Sequence, residues 1–139
     1  MSFTPISLPI FEIDLFQGVV STTNTTYTRI AGRDIPVDWP ATIDGLTRVV
    51  SFFANIETSA AAAQANIRLY NVSDAEIVSG TVLESTSTST VLVGGVVTVG
   101  ASPNNLKLGD NYEIQIARSG GAGGDQAICT SARLSISYE

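Results

Sequence analysis

No histidine occurs anywhere in this 139-residue chain, and cysteine, tryptophan, methionine and lysine occur once each. Without histidine there is no side chain that titrates near neutral pH by default, no imidazole metal ligand, and no Ser-His or Cys-His dyad. The single Cys129 excludes a disulfide framework within the chain, and zinc, haem and iron–sulfur sites lack their ligands. Charge is scarce too: 14 % of residues are charged, against about 25 % in an ordinary soluble domain. The balance is acidic, with a net charge of −6 and no run of Lys or Arg, so nucleic acid is not expected as a partner. No apolar run approaches the roughly 20 residues of a spanning helix, so no membrane association is expected. The opening MSFTPISLPIFEIDLF has no basic leader and brings Glu12 and Asp14 early, which is not the pattern of a secretory signal.

Small polar residues fill the place of charge. Fifteen serines and fifteen threonines accompany a 44 % hydrophobic content, ample for a core. The cations are six arginines against Lys107 alone, a bias found where surfaces are buried against partners. The expected organisation is an extended arm over residues 1–9 and one domain over residues 10–139. On the arm, Pro5 and Pro9 prevent a helix and push their predecessors to extended geometry. Phe3, Ile6 and Leu8 are apolar residues there that need cover, either on the chain's own surface or on a neighbouring subunit or partner.

Period-two alternation marks the strands. Ile10–Phe16 sets Phe11, Ile13 and Leu15 on one face, and Gln17–Thr26 reads as a polar connection. Tyr27–Ala31 is a short strand, followed by a loop from Gly32 to Gly45. Leu46–Glu57 is the longest strand, with Val49 and Phe53 making its second face partly apolar, as befits a central or interface strand. Thr58–Ala65 reads as a connection, since so short an alanine run makes only a marginal helix. Asn66–Val72, Glu76–Val78, Thr81–Thr86 and Thr90–Val99 follow, the last interrupted at Gly94 and Gly95 by an expected bulge or bend. Asn111–Arg118 and Gln126–Tyr138, joined by SGGAGGD, read as an antiparallel hairpin. In its second strand Ile128, Ala132, Leu134, Ile136 and Tyr138 share the apolar parity, and Cys129 falls on the other. About eight short antiparallel strands without an amphipathic helix predict an all-β jelly-roll β-sandwich, with an immunoglobulin-like sandwich as the alternative. There is no internal repeat.

Few residues suggest chemistry. Asp34, Asp38 and Asp44 lie in one loop with Trp39, and three carboxylates are some of the oxygens a calcium ion needs. Trp39 beside acids could equally stack on a sugar ring. The competing readings are turn chemistry for the aspartates and a core plug for the tryptophan. Cys129 reads as a core or interface cysteine, because no basic partner is near it in sequence. SGGAGG is not a phosphate loop, since no GK[ST] follows. Asn24 and Asn71 stand in N-x-[ST] sequons, and Glu57, Glu76, Glu84 and Glu113 have no context that pairs them for glycosidase work. The expectation is a protein without catalytic residues, metal or cofactor.

Three segments carry a resemblance: RLYNVSD (Arg68–Asp74), GTVLESTSTSTVLVGGVVTV (Gly80–Val99) and NYEIQIARSGGAGGDQAICTSARLSI (Asn111–Ile136). Over roughly the C-terminal two thirds, the strand texture resembles the small jelly-roll virion proteins of tailed bacteriophages. These include capsid decoration, or cement, proteins that sit as trimers on the outer shell and clamp neighbouring capsomers. The resemblance implies a homotrimer, a phage major capsid protein as partner, synthesis in the host cytoplasm and a place on the outer capsid surface. The alternative expectation is a carbohydrate- or receptor-binding β-sandwich module of a fibre or tip, using Trp39.

Overall fold

The structure is a computed structural model that describes residues 11–35 and 39–139. Among these residues ten strands are formed: β1 (Phe11–Thr22), β2 (Thr28–Asp34), β3 (Thr42–Ile43), β4 (Leu46–Thr58), β5 (Ala63–Asn71), β6 (Glu76–Ile77), β7 (Leu83–Ser85), β8 (Val91–Val97), β9 (Asn111–Gly120) and β10 (Ala127–Tyr138). No helix occurs among the described residues. One sheet runs β1-β10-β4 with β8 and the short β3 both on the far edge of β4; the other runs β2-β9-β5 with β7 and the short β6 on the far edge of β5. All strand pairs are antiparallel.

Leave out the two-residue strands and consecutive strands change sheet almost every time: β1 to β2, β2 to β4, β4 to β5, β7 to β8, β8 to β9, and β9 to β10. Sequence neighbours thus face each other across the core instead of pairing within a sheet, which is the jelly roll and not the immunoglobulin arrangement. The core lies between the sheets. Val50, Phe52, Ile56, Leu134 and Ile136 project from the first sheet, and Ile67, Leu69, Tyr112, Ile114 and Ile116 from the second, all essentially inaccessible. Each such aliphatic or phenylalanine side chain contributes about 1.5–3 kcal/mol through burial.

Several expectations fail, each for a local reason. The C-terminal segments are not a hairpin: β9 pairs β2 and β5, whereas β10 pairs β1 and β4. Alternation reveals that a strand has one buried face; it does not reveal which strand lies beside it. The glycine loop is therefore a corner between sheets. Gly120 and Gly121 hold φ of 64° and 70°, and a Cβ on Gly121 would press on the Ala63 backbone. Asp125 closes the corner, its Oδ2 accepting from Ala122 N at 2.8 Å.

The polar connection expected from Gln17 is strand as far as Thr22, bent by register shifts at Asp14/Phe16 and Gln17/Val20. β10 also takes one residue more than β4 between Cys129 and Ser131. That bulge reverses the parity, so Ala127 and Cys129 point into the core below it and Ala132, Leu134 and Ile136 above it. Cys129 is thus inward and Ile128 outward, the reverse of the alternation-based reading. The alanine run divides between a tight turn, closed by Ala63 N donating to Ala60 O at 3.0 Å, and the start of β5, where Ala63 and Ala65 are buried. β8 carries no bulge at its glycines: its register with β4 is continuous from Val91 to Val97.

Candidate functional site

At the β1 end of the first sheet an apolar groove of about 370 Å³ opens. β1 supplies Phe11 and Ile13, β10 supplies Ile136 and Tyr138, and the chain leading into β3 supplies Trp39 and Pro40. Phe11 lies opposite Ile136, so the register turns it to the core side; Ile136 is fully buried, yet Phe11 is 51 % exposed. The groove is an open corner of the core. Its wall is held by two bonds to main-chain carbonyls: Tyr138 Oη donates to Pro40 O at 2.8 Å, and Arg48 Nη1 donates to Trp39 O.

The outward face of the same sheet is a second surface, free of charge from Ser51 to Asn55 of β4 and on the β8 residues beside them, with Glu12, Asp14 and Arg133 carrying charge on its β1 side. Leu92 and Val96 of β8 are 55 % and 67 % exposed. In register beside them are Asn55 and Ser51 of β4, and beyond those Ser131 and Ser135 of β10. At the centre Phe53 lies over Gly94, where a Cβ would overlap the Phe53 ring and the Phe52 carbonyl oxygen. Arg133 stands over the Phe53 ring at 5.4 Å and pairs with Glu12 at 3.5 Å. The glycine read from sequence as a kink is there for a close approach.

The outward face of the second sheet is polar and internally bonded. Arg68 stacks on Tyr27 at 3.8 Å and donates through Nε to Gln115 Oε1 at 2.6 Å. Gln115 Nε2 donates to Glu113 Oε1 at 2.6 Å, and Arg29 pairs with Glu113 at 3.5 Å. Burial raises the Tyr27 hydroxyl pKa, while the Arg68 charge acts against that rise. Near one end of the sandwich, Lys107 bonds Asp74 and Glu76, which raises its pKa. These ion pairs border a shallow hollow of about 500 Å³.

The expected site residues disperse. Asp34 ends β2 and accepts from Asn111 Nδ2 at 2.7 Å. Asp44 sits in the two-residue turn between β3 and β4 with φ of 50°. Asp38, Phe3, Ile6 and Leu8 lie outside the described residues. Among the described residues no group of three or more Cys, Asp or Glu is placed to hold a metal ion. Trp39 packs partly buried against the core cluster, at the edge of the groove. Glu57, Glu76, Glu84 and Glu113 each bond different neighbours: Thr90, Asn104 with Lys107, Gln64, and Gln115 with Arg29. Asn71 is buried, its amide donating to Asp110 and Tyr112, so its sequon is inaccessible in the folded protein. Sequence reasoning missed Arg68, Gln115 and Tyr27 as a connected row. Their alternation with Ile67, Leu69, Ile114 and Ile116 turns Arg68 and Gln115 outward, but their adjacency follows from strand pairing alone.

Fold and surfaces together define a jelly-roll sandwich with an apolar corner groove and an uncharged strip along β4 and β8 of one sheet face. No family model matches the chain, and no curated protein matches it in sequence. Among solved structures it is similar to a chain of infectious bursal disease virus, Gx strain, with 12 % identity and a TM-score of 0.55 over 93 % of this chain and 32 % of that one. It is also similar to a chain of the T=1 particles derived from infectious bursal virus, with 14 % identity and a TM-score of 0.52 over 93 % of this chain and 31 % of that one. The chain thus spans about a third of the length of these viral chains. A xylan-binding module, CBM15, matches over 94 % of this chain and 96 % of its own, with 13 % identity and a TM-score of 0.46. What the viral matches share with this chain is the fold.

Proposed function

We propose that the chain is a structural protein of a bacteriophage virion, a decoration or cement protein that forms trimers on the outer capsid surface and reinforces contacts between capsomers. Its partner is then the major capsid protein, and its action is binding alone. The observation that supports this best is the uncharged β4-β8 strip on the outward face of the first sheet, where Leu92 and Val96 stand exposed beside Ser51, Asn55 and Phe53. Apolar residues bordered by small polar groups, with little charge to desolvate, are suited to docking on another protein. Three such faces in one trimer multiply a modest contact through avidity. The glycan alternative has less to stand on. Around Trp39 the Tyr138 hydroxyl and the Arg48 guanidinium already serve main-chain carbonyls, leaving mostly carbon toward a ligand.

The test is co-sedimentation with purified phage shells, with light scattering for mass. Wild type is expected as a trimer that pellets with shells. Leu92→Lys/Val96→Lys is expected to keep its thermal midpoint and lose at least tenfold in shell affinity. Unchanged affinity in that variant, or a wild type that never pellets, overturns the reading.

A further inference from the structure

On the outward face of the second sheet the polar side chains are tied to one another. Gln64, Asn66, Arg68 and Tyr70 of β5 alternate with the buried Ala65, Ile67 and Leu69, so all four turn outward. Register sets Arg68 beside Gln115 of β9, and Gln115 beside Arg29 of β2, one row of planar polar groups across three strands. Next to that row, Gln64 Nε2 donates to Asn66 Oδ1 and Glu84 Oε2, both at 2.7 Å, and Asn66 Nδ2 donates to Ser119 Oγ at 3.0 Å. These bonds hold the side chains in place and leave hydrogen-bonding atoms over. Arg68 commits Nε to Gln115, and among the described residues nothing accepts from its two terminal nitrogens. The Tyr27 and Tyr70 hydroxyls also have no partner there, and none of these atoms is buried, since Arg133 Nε is the one buried side-chain atom left unpaired among the described residues. The Arg68 guanidinium lies 3.8 Å over the Tyr27 ring and 5.8 Å from the centre of the Tyr70 ring, which it leaves freer.

Charge decides the class of ligand. Arg29 and Arg68 are matched here by Glu113 and Glu84, so neither an anion nor a cation gains a net attraction. A guanidinium fork donates to two neighbouring hydroxyl oxygens as readily placed as the two of a carboxylate. An aromatic ring takes the C–H face of a sugar, and side chains already held still lose little entropy on binding. We propose that this face, centred on Arg68, binds an uncharged saccharide. Its hydroxyls accept from the terminal nitrogens of Arg68, and one of its rings stacks on Tyr70. The site lies on the other side of the sandwich from the Leu92–Val96 strip and apart from the Trp39 groove. On the shell reading it therefore looks away from the capsid, toward saccharides of a cell surface; the binding itself does not rest on that reading.

The full chain on an array of neutral and uronate-bearing glycans tests this, with titration calorimetry of the neutral oligosaccharides it retains. Wild type is expected to retain neutral glycans. Arg68→Lys, which keeps the charge and loses the fork, and Tyr70→Ala are each expected to weaken binding about tenfold or more while still unfolding cooperatively. Two variants guard against one of them failing to fold. Trp39→Phe and Leu92→Lys/Val96→Lys are expected to bind glycans as wild type does. An array without a neutral hit, or with uronate hits alone, overturns the proposal. So does wild-type affinity in both Arg68→Lys and Tyr70→Ala, or a loss confined to Trp39→Phe, which would move the ligand to the corner groove. A chain that pellets with shells and retains no glycan loses this site alone; one that retains glycans and never pellets loses the shell reading alone.

Discussion

Cys129 illustrates how position in the pleat decides chemistry. Its side chain is sealed in the core, and burial pushes the thiol from 9.0 up to about 11. A group whose folded-state pKa is raised keeps its full contribution to stability below the unfolded value and loses it as pH climbs toward the folded one. The chain is therefore expected to lose stability between pH 9 and pH 11, with a slope of about 1.4 kcal/mol per pH unit from this group. Urea midpoints across that range should fall for wild type and fall less for Cys129→Ala. The same burial should leave the thiol unreactive toward an alkylating reagent at pH 8 until denaturant is added. A native thiol that reacts at the denatured rate would contradict the placement.

Among the elements, β8 makes the clearest comparison, because its two adjacent glycines have opposite environments. A methyl on Gly94 would run into the Phe52 carbonyl and the Phe53 ring, whereas nothing lies within 4 Å of a Cβ on Gly95. Gly94→Ala is expected to cost about 1–3 kcal/mol by overpacking. Gly95→Ala is expected to be neutral or slightly stabilising, because it restricts the unfolded chain. Thermal or urea unfolding of the two variants side by side checks this, and equal effects would refute it. Legibility in the sequence divides along similar lines. β4, β5 and β9 were readable because their alternation runs unbroken through Phe52, Ile67 and Ile114, and one buried face is what alternation encodes. The bulge between Cys129 and Ser131 was not, since one extra residue changes every later parity without changing composition. Sheet membership was equally hidden: Tyr112–Ile116 and Leu134–Ile136 look like hairpin partners, yet the same pattern is satisfied by two strands facing across a core. Of the candidate site, Trp39 was singled out for its type, while Phe11, Ile136 and Tyr138 around it come together only through the β1–β10 register and the approach of the Trp39–Pro40 loop.

For the whole molecule, the two sheets are symmetric in plan: each has a late strand, β9 or β10, between partners drawn from the first half of the chain. Among the described strands, β1 and β2 have β10 and β9 as their strand partners, and β4 and β5 each pair one edge with them. Contacts so distant in sequence are expected to make folding slow for its size. They also have a consequence during synthesis. The β2-β9-β5 sheet lacks its central strand until residue 120 has left the ribosome and the β1-β10-β4 sheet until residue 138, so nascent chains stalled before β9 should be digested by protease throughout, and full protection should arrive only once β10 is out. Until then strand edges stand unpaired, open to identical neighbours on the same messenger, and close spacing of ribosomes would favour assembly of subunits as they are born.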